Sequence, residues 1–249
     1  MAGAKQRVEQ QPAWVLHTYP WRETSLIVEI FARDHGRVAL VAKGARRPHS
    51  QLRGVLMAFQ PLWMDWSGGG EVKTLVRAEW QGGQPLLTGR ALLCGYYLNE
   101  LLVRLTARED PHPRLFSAYA DAVRALGRGE PESPILRRFE LVLLQDLGYE
   151  AGLAHEGDGE AVRPDGRYLY IIERGPMRLE ALEEEGVDAA ALREQPLVSG
   201  QTLLDMAGDD FSRAETLAQS KQLLRMLINH TLGGKQLQSR RVLKELQEL

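Results

Sequence analysis

Six Lys and Arg residues fall between Arg33 and Arg53 (Arg33, Arg37, Lys43, Arg46, Arg47 and Arg53) against a single acid, Asp34. Within that stretch Lys43-Gly44-Ala45-Arg46-Arg47-Pro48-His49-Ser50 reads as a loop leaving a strand. Its small residues let a polyanion approach the backbone, and its cations replace the counterions of a phosphate chain. All five tryptophans (Trp14, Trp21, Trp63, Trp66 and Trp80) lie in the same first third of the chain. They offer π-faces on which unpaired bases stack. Together these residues point to nucleic acid; the plainer reading is a solvated basic loop beside core tryptophans.

Other chemistry finds less support. Ser67-Gly68-Gly69-Gly70-Glu71-Val72-Lys73-Thr74 resembles a phosphate loop, but that loop needs Gly directly before its Lys and a helix after it. Val72 holds that position and the following residues alternate like a strand, so a glycine hairpin is expected. No His-Glu-x-x-His, Gly-x-Ser-x-Gly or Cys-x-x-Cys occurs, and the six histidines are scattered. Asp209-Asp210 lies beside a helix start, and the lone Cys94 sits on an apolar helix as a small hydrophobe. The expectation is no catalytic site, no metal and no cofactor.

A second candidate lies on the helix expected over Ile135–Leu147. On a helical wheel Arg137 stands at about 100° from Leu136, between Leu144 at about 80° and Leu141 at about 140°. Arg138, at about 200°, marks the polar stripe. A cation set into apolar surface suits an apolar peptide ending in a carboxylate. An internal pair with Glu140 explains the same spacing.

These residues need elements to hold them. Pro12–Thr18, Thr24–Phe31 and Arg37–Lys43 read as strands, with Asp34-His35-Gly36 as a hairpin turn. Val55–Trp66 and Glu71–Trp80 follow, joined through the glycines, with Pro61 arguing for an edge or bulge. Five strands in about 80 residues with a basic loop form the OB-fold profile; an SH3-like barrel is the rival. From Leu86 the period becomes helical: a long amphipathic helix through Leu105, another over Leu115–Leu126, and a third opened by Ser133-Pro134 as N-cap and first residue. Glycines break up residues 149–178, where Glu160–Arg163 and Arg167–Glu173 are candidates for a hairpin around Pro164-Asp165-Gly166. Ser212 to Glu215 reads as a capping box before a helix that Gly233-Gly234 ends, and Ser239–Leu249 is the last helix. The fold class is therefore α+β, with an OB-fold domain at 1–84 and a mostly helical domain at 85–249.

The 249 residues are 44% hydrophobic and 26% charged, which excludes disordered and collagen-like classes. The net charge of −2 conceals segregation: 12 Lys and Arg against 7 Asp and Glu in residues 1–90, 6 against 16 in residues 150–215, and 6 against 2 in residues 216–249. No apolar run approaches a membrane span and no leader is evident at the N-terminus, so a cytoplasmic, nucleoid-associated protein is expected.

Several stretches, taken together, resemble the RecO family of bacterial recombination mediators. They are Val15-Leu16-His17 with Pro20-Trp21-Arg22-Glu23-Thr24-Ser25-Leu26, Gly36-Arg37-Val38, Val41-Ala42-Lys43-Gly44-Ala45-Arg46 and Gly70-Glu71-Val72-Lys73-Thr74-Leu75. Tyr97-Leu98-Asn99-Glu100-Leu101-Leu102, Leu136-Arg137-Arg138-Phe139-Glu140-Leu141, Leu232-Gly233-Gly234-Lys235 and Ser239-Arg240 complete the set. The resemblance implies a non-enzymatic protein that binds single- and double-stranded DNA and anneals complementary strands. It also implies binding to the C-terminal tail of single-strand-binding protein (SSB) and action with RecR to load RecA. Carried onto this chain, it makes Lys43, Arg46 and Arg47 the expected phosphate contacts; Arg22 and Arg37, read from the charge pattern, and Lys73, Lys235 and Arg240 complete the expected DNA contacts. Arg137 and Arg138, with Phe139, Leu141 and Leu144, become the expected tail site. Many members carry a four-cysteine zinc site in the region of residues 150–180; this chain has no cysteine there, so zinc is not expected. An RNA-binding OB protein is the alternative reading.

Overall fold

The computed structural model describes residues 7–149, 152–184 and 195–247. They fall into two compact units, Met1–Glu130 with Leu237–Leu249, and Pro131–Gln236. In the first, β1 (Arg7–Trp21), β2 (Ser25–Ala32), β3 (Gly36–Ala42), β4 (Pro61–Ser67) and β5 (Val72–Trp80) close into a barrel ordered β1-β2-β3-β5-β4. The β3–β5 pair is parallel and the others are antiparallel. A short helix α1 (Leu52–Val55) lies between β3 and β4. This is an OB-fold barrel.

Strand alternation builds its interior. Ala13, Val15, Val28, Ile30, Val38, Leu40, Leu62, Met64 and Trp66 are all buried in one cluster, each large side chain contributing about 1.5–3 kcal/mol by leaving water. The expected fourth strand is shorter than its apolar run, because Val55 ends α1 and β4 begins only at Pro61. As first residue of the strand, Pro61 can do without an N–H.

Trp14, Leu16 and Phe31 are buried as well, although they alternate with the interior set. Two helices, α2 (Gly89–Leu105) and α3 (Pro113–Gly127), cover them. Trp14 meets Tyr119 edge-on at 5.5 Å and Phe31 lies 5.6 Å from Phe116. Asn99 donates to the Leu16 carbonyl at 2.9 Å and accepts from the Tyr119 hydroxyl at 2.6 Å. Burial drives the Tyr119 hydroxyl far above the ordinary tyrosine range. These contacts place α2 and α3 in the barrel's unit, whereas the division expected from the sequence runs at residue 84. The loop after α2 also crosses the barrel end. It passes so close to Gly36 (φ +62°) that a Cβ there would stand 1.9 Å from the Asp110 carbonyl oxygen.

The second unit packs α4 (Glu132–Asp146) against the helix that ends the unit, and further helices against a small sheet. Its elements are β6 (Arg167–Ile171), β7 (Gly175–Arg178), α5 (Leu179–Glu184), β8 (Leu197–Ser199), α6 (Gly200–Ala207) and α7 (Ala214–Thr231). The sheet order is β7-β6-β8. The hairpin expected between 160–163 and 167–173 is replaced by a β6–β7 pair, turning at Glu173 (φ +72°) and Gly175 (φ +84°). Residues 152–166 fold around Tyr168 instead: its hydroxyl accepts from the Arg163 N–H at 2.9 Å and donates to the buried Glu156 at 3.1 Å. Two expected caps also differ. Ser133 lies inside α4, and Arg213 caps α7, while the Ser212 N–H donates back to the Asp210 carboxylate at 2.9 Å.

The last helix, α8 (Gln238–Gln247), returns to the first unit; its expected end at Leu249 lies outside the described residues. Glu100 of α2 accepts from the Gln238 N–H at 2.9 Å, the Ser239 N–H at 2.8 Å and the Ser239 hydroxyl at 2.7 Å. Burial raises the Glu100 carboxyl, but the Ser239 and Gln238 donors outweigh it and hold the group below the usual range.

Candidate nucleic-acid interface

Two turns meet at one end of the barrel. The β1–β2 turn carries Arg22 in the left-handed region (φ +52°). The chain leaving β3 turns at Gly44 (φ +70°) and drops the Ala45 methyl group into the barrel core. With Ala45 anchored, the Arg46 N–H donates to the Thr24 carbonyl at 2.9 Å, and its guanidinium reaches the Arg22 carbonyl at 3.4 Å. The Arg47 N–H closes the turn on Gly44 at 3.1 Å. Arg22, Lys43, Arg46, Arg47 and Arg53 are exposed. Among the described residues none of the five forms an ion pair. A fixed backbone thus presents uncommitted cations, which is what sequence-independent phosphate binding requires.

Of the remaining expected DNA contacts, Arg37, Lys73 and Arg240 are engaged within the protein. The Arg37 guanidinium donates to Glu29 at 2.7 Å and to the Thr106 carbonyl at 3.0 Å. Arg108 donates to both oxygens of the same carboxylate, at 3.1 and 3.0 Å, and its hydrogen bond to Glu29 raises the Arg108 pKa. Glu29 is 1% exposed. Lys73 is buried and pairs with Glu109. Arg37 and Lys73 thus bind the post-α2 loop to the barrel, and as placed here their charges are met by carboxylates and not left open to a phosphate. For Arg37 the physical reason is the cost of a buried, unmatched carboxylate at Glu29; Lys73 meets the exposed carboxylate of Glu109. Arg240 lies over the Tyr97 ring at 5.4 Å and donates to its hydroxyl at 3.0 Å, so it fixes α8 to α2. Lys235 is exposed in the second unit. The glycine stretch is the expected hairpin, with Ser67 opposite Thr74.

Sequence reasoning misses Arg108 altogether. Its partner Glu29 is 79 positions earlier, so no local pattern announces the pair. The tryptophans divide: Trp14 and Trp66 are buried, whereas Trp21, Trp63 and Trp80 are 43%, 42% and 56% exposed.

The expected peptide site also resolves into two kinds of residue. Arg137 is buried and donates to Glu140 at 2.6 Å, the internal pair. Phe139, Leu141 and Leu144 are buried core side chains of the second unit. Arg138 remains at the surface. It contacts both Asp209 carboxylate oxygens at 3.1 Å and the Asp209 carbonyl at 3.3 Å, and its guanidinium stands 5.8 Å from the Phe211 ring centre. Its present partner is a carboxylate, the same group a peptide C-terminus would bring. No group of metal-ligating side chains occurs among the described residues, nor is any helix among them long and apolar enough to cross a membrane.

Comparison with known proteins covers nearly the whole chain. Residues 7–83 match the family described as recombination protein O, N terminal, and residues 86–241 match recombination protein O, C terminal. A protein of Azoarcus sp. (strain BH72) is 73% identical over 246 residues, covering 98% of this chain and 99% of that protein. One from Aromatoleum aromaticum is 75% identical over 246 residues, with the same coverage. One from Dechloromonas aromatica is 52% identical over 248 residues, again covering 98% and 99%. Each of the three is named DNA repair protein RecO.

Proposed function

The chain belongs to the RecO family of DNA repair proteins, and from that premise we propose that it is a non-enzymatic mediator whose barrel end holds DNA by its phosphates. The observation that carries this reading is the set of unpaired cations Arg22, Lys43, Arg46 and Arg47 on a loop fixed by Ala45 and by the Arg46–Thr24 hydrogen bond. Such a site takes single and double strands alike, because it reads charge rather than base edges. By neutralising phosphates it lowers the repulsion between two complementary strands, which is the physical requirement for annealing them.

In the same reading the second unit binds the SSB tail. Arg138 is the side chain that receives the terminal carboxylate, exchanging Asp209 for it, while Arg137 supports the helix from within. The reading further has the protein act with RecR to load RecA, which family membership supports. The alternative of an RNA-binding protein loses its standing with that membership. The test is a titration of the protein with single-stranded DNA, duplex DNA, matched RNA and an SSB-tail peptide, repeated on a Lys43→Ala/Arg46→Ala/Arg47→Ala variant. The expected result is loss of binding to both DNA forms with peptide binding intact. Unchanged DNA affinity in a folded variant overturns the barrel-end assignment.

A further inference from the structure

The outer face of β1 beside the cationic turn carries a row of exposed aromatic side chains. Thr18 and Pro20 stand opposite Val28 and Leu26, on the side of the barrel interior. Tyr19 and Trp21 stand opposite Ile27 and Ser25 and point outward, 44% and 43% exposed. His17, on the same face, meets the Tyr19 ring edge-on at 4.4 Å and so props it from one side. No ring packs against Trp21 among the described residues. Lys43 follows Ala42, which pairs with Leu26 across β2 and β3, so it continues the outward row at the level of Ser25 and Trp21. Two inter-strand spacings of about 4.8 Å therefore separate the backbone at Trp21 from that at Lys43.

We infer that Tyr19 and Trp21 stack unpaired bases of a single strand whose phosphates lie on Lys43, Arg22 and Arg46. This rests on the proposed reading of the barrel end as a DNA site and adds what that reading lacks, a means of telling single from double strands. Residues two apart on a strand are about 6.8 Å apart, twice the roughly 3.4 Å rise between bases in a duplex strand. A strand drawn out to that spacing presents its bases to successive rings. A duplex cannot, because its bases are stacked on one another and their faces are covered. Charge separates this row from the other exposed tryptophans. Asp65 and Glu79 lie beside Trp63 in one surface hollow, and the Arg77 there is paired with Glu79. A phosphate chain is repelled at Trp63 and attracted at Trp21.

The experiment uses the full chain and three fluorescent ligands: an oligothymidylate, a strand of the same length made of abasic sites, and a blunt duplex. A Tyr19→Ala/Trp21→Ala variant is expected to bind the oligothymidylate more weakly by about 5- to 150-fold for each ring removed. Its affinity for the abasic strand and the duplex stays within about twofold, because the phosphates are held elsewhere. Trp21→Phe keeps most of the affinity for oligothymidylate, and Trp63→Ala keeps all of it. Equal losses on all three ligands, or no loss on any, overturn the inference. If the Lys43→Ala/Arg46→Ala/Arg47→Ala variant weakens all three ligands while the ring variant changes none, the barrel end is still the DNA site and the stacking role alone falls. If that cation variant binds all three normally, the DNA site itself is misplaced and the inference falls with it.

Discussion

Arg37 and Lys43 bracket the same strand of the same barrel, yet one is held by protein acceptors and the other faces water. Arg37 enters β3 opposite Phe31, close to the Glu29 carboxylate, under a loop that supplies Arg108 and the Thr106 carbonyl. Lys43 leaves β3 into a turn whose inward residue is an alanine and whose backbone donors are met by carbonyls. The local sequences are alike in charge. What separates the two cations is the acceptors around them: Arg37 has the Glu29 carboxylate on the neighbouring strand and the Thr106 carbonyl from a distant segment, and Lys43 has no ion-pair partner among the described residues.

The largest effect separating the two ends is expected from Arg37→Ala. It leaves the buried Glu29 with Arg108 alone, and breaking a buried ion pair in this way costs about 3 kcal/mol. Urea denaturation should show that loss, while DNA affinity per folded molecule stays unchanged. The Lys43→Ala/Arg46→Ala/Arg47→Ala variant should do the reverse. Its stability should stay within about 0.5 kcal/mol per substitution, and the slope of log K against log salt on duplex DNA should flatten by about 0.9 for each phosphate that the variant no longer neutralises. A salt slope that changes with Arg37→Ala would merge the two ends into one surface.

A smaller effect is expected in the second unit. Arg138→Ala removes an exposed pair with Asp209 and should cost less than about 1 kcal/mol, whereas Arg137→Ala uncovers the buried Glu140 and should cost several times as much. Peptide titration of Arg138→Ala, which remains folded, then isolates binding from stability. The smallest effect should come from acid. The Glu100 carboxyl is held below its ordinary value, so the stability it gives α8 is complete above the unfolded value of about 4.3 and is lost as the pH falls through the lower folded value. Protection factors for hydrogen exchange in α8, corrected for the intrinsic rate at each pH, should be constant from neutrality to about pH 5 and should fall below about pH 4. Glu100→Gln should remove that acid step.

The barrel is legible in the sequence because strand alternation and the Asp34-His35-Gly36 turn are local signals. The cationic loop at 43–47 is likewise a local signal, and its cations form no ion pair among the described residues. Arg37 and Lys73 mislead a sequence reading because their acceptors lie at Glu29, Thr106 and Glu109, joined only by folding. In the second unit, Pro164-Asp165-Gly166 suggests a turn as readily as Glu173-Arg174-Gly175 does. Tyr168 makes the choice, because its hydroxyl holds the 152–166 segment from beneath. The helical wheel correctly sets Arg137 among apolar neighbours, but it has no means of distinguishing a pocket wall from a core, and Glu140 one turn on decides between them.

The Ala45 anchor ties the emergence of the cationic loop to the kinetics of folding. Strands β1, β2 and β3 form a meander of near-neighbour pairings, which assemble quickly. Closure of the barrel waits for Ala39–Val41 to meet Val72–Thr74, a pairing across more than thirty residues with the cationic loop inside the span. Until that ring closes, the cavity that accepts the Ala45 methyl does not exist and the loop has no fixed shape. In a refolding experiment, then, affinity for DNA should rise with the slow closing phase and not with the early hairpins, so the ligand itself becomes a clock for the last step of folding.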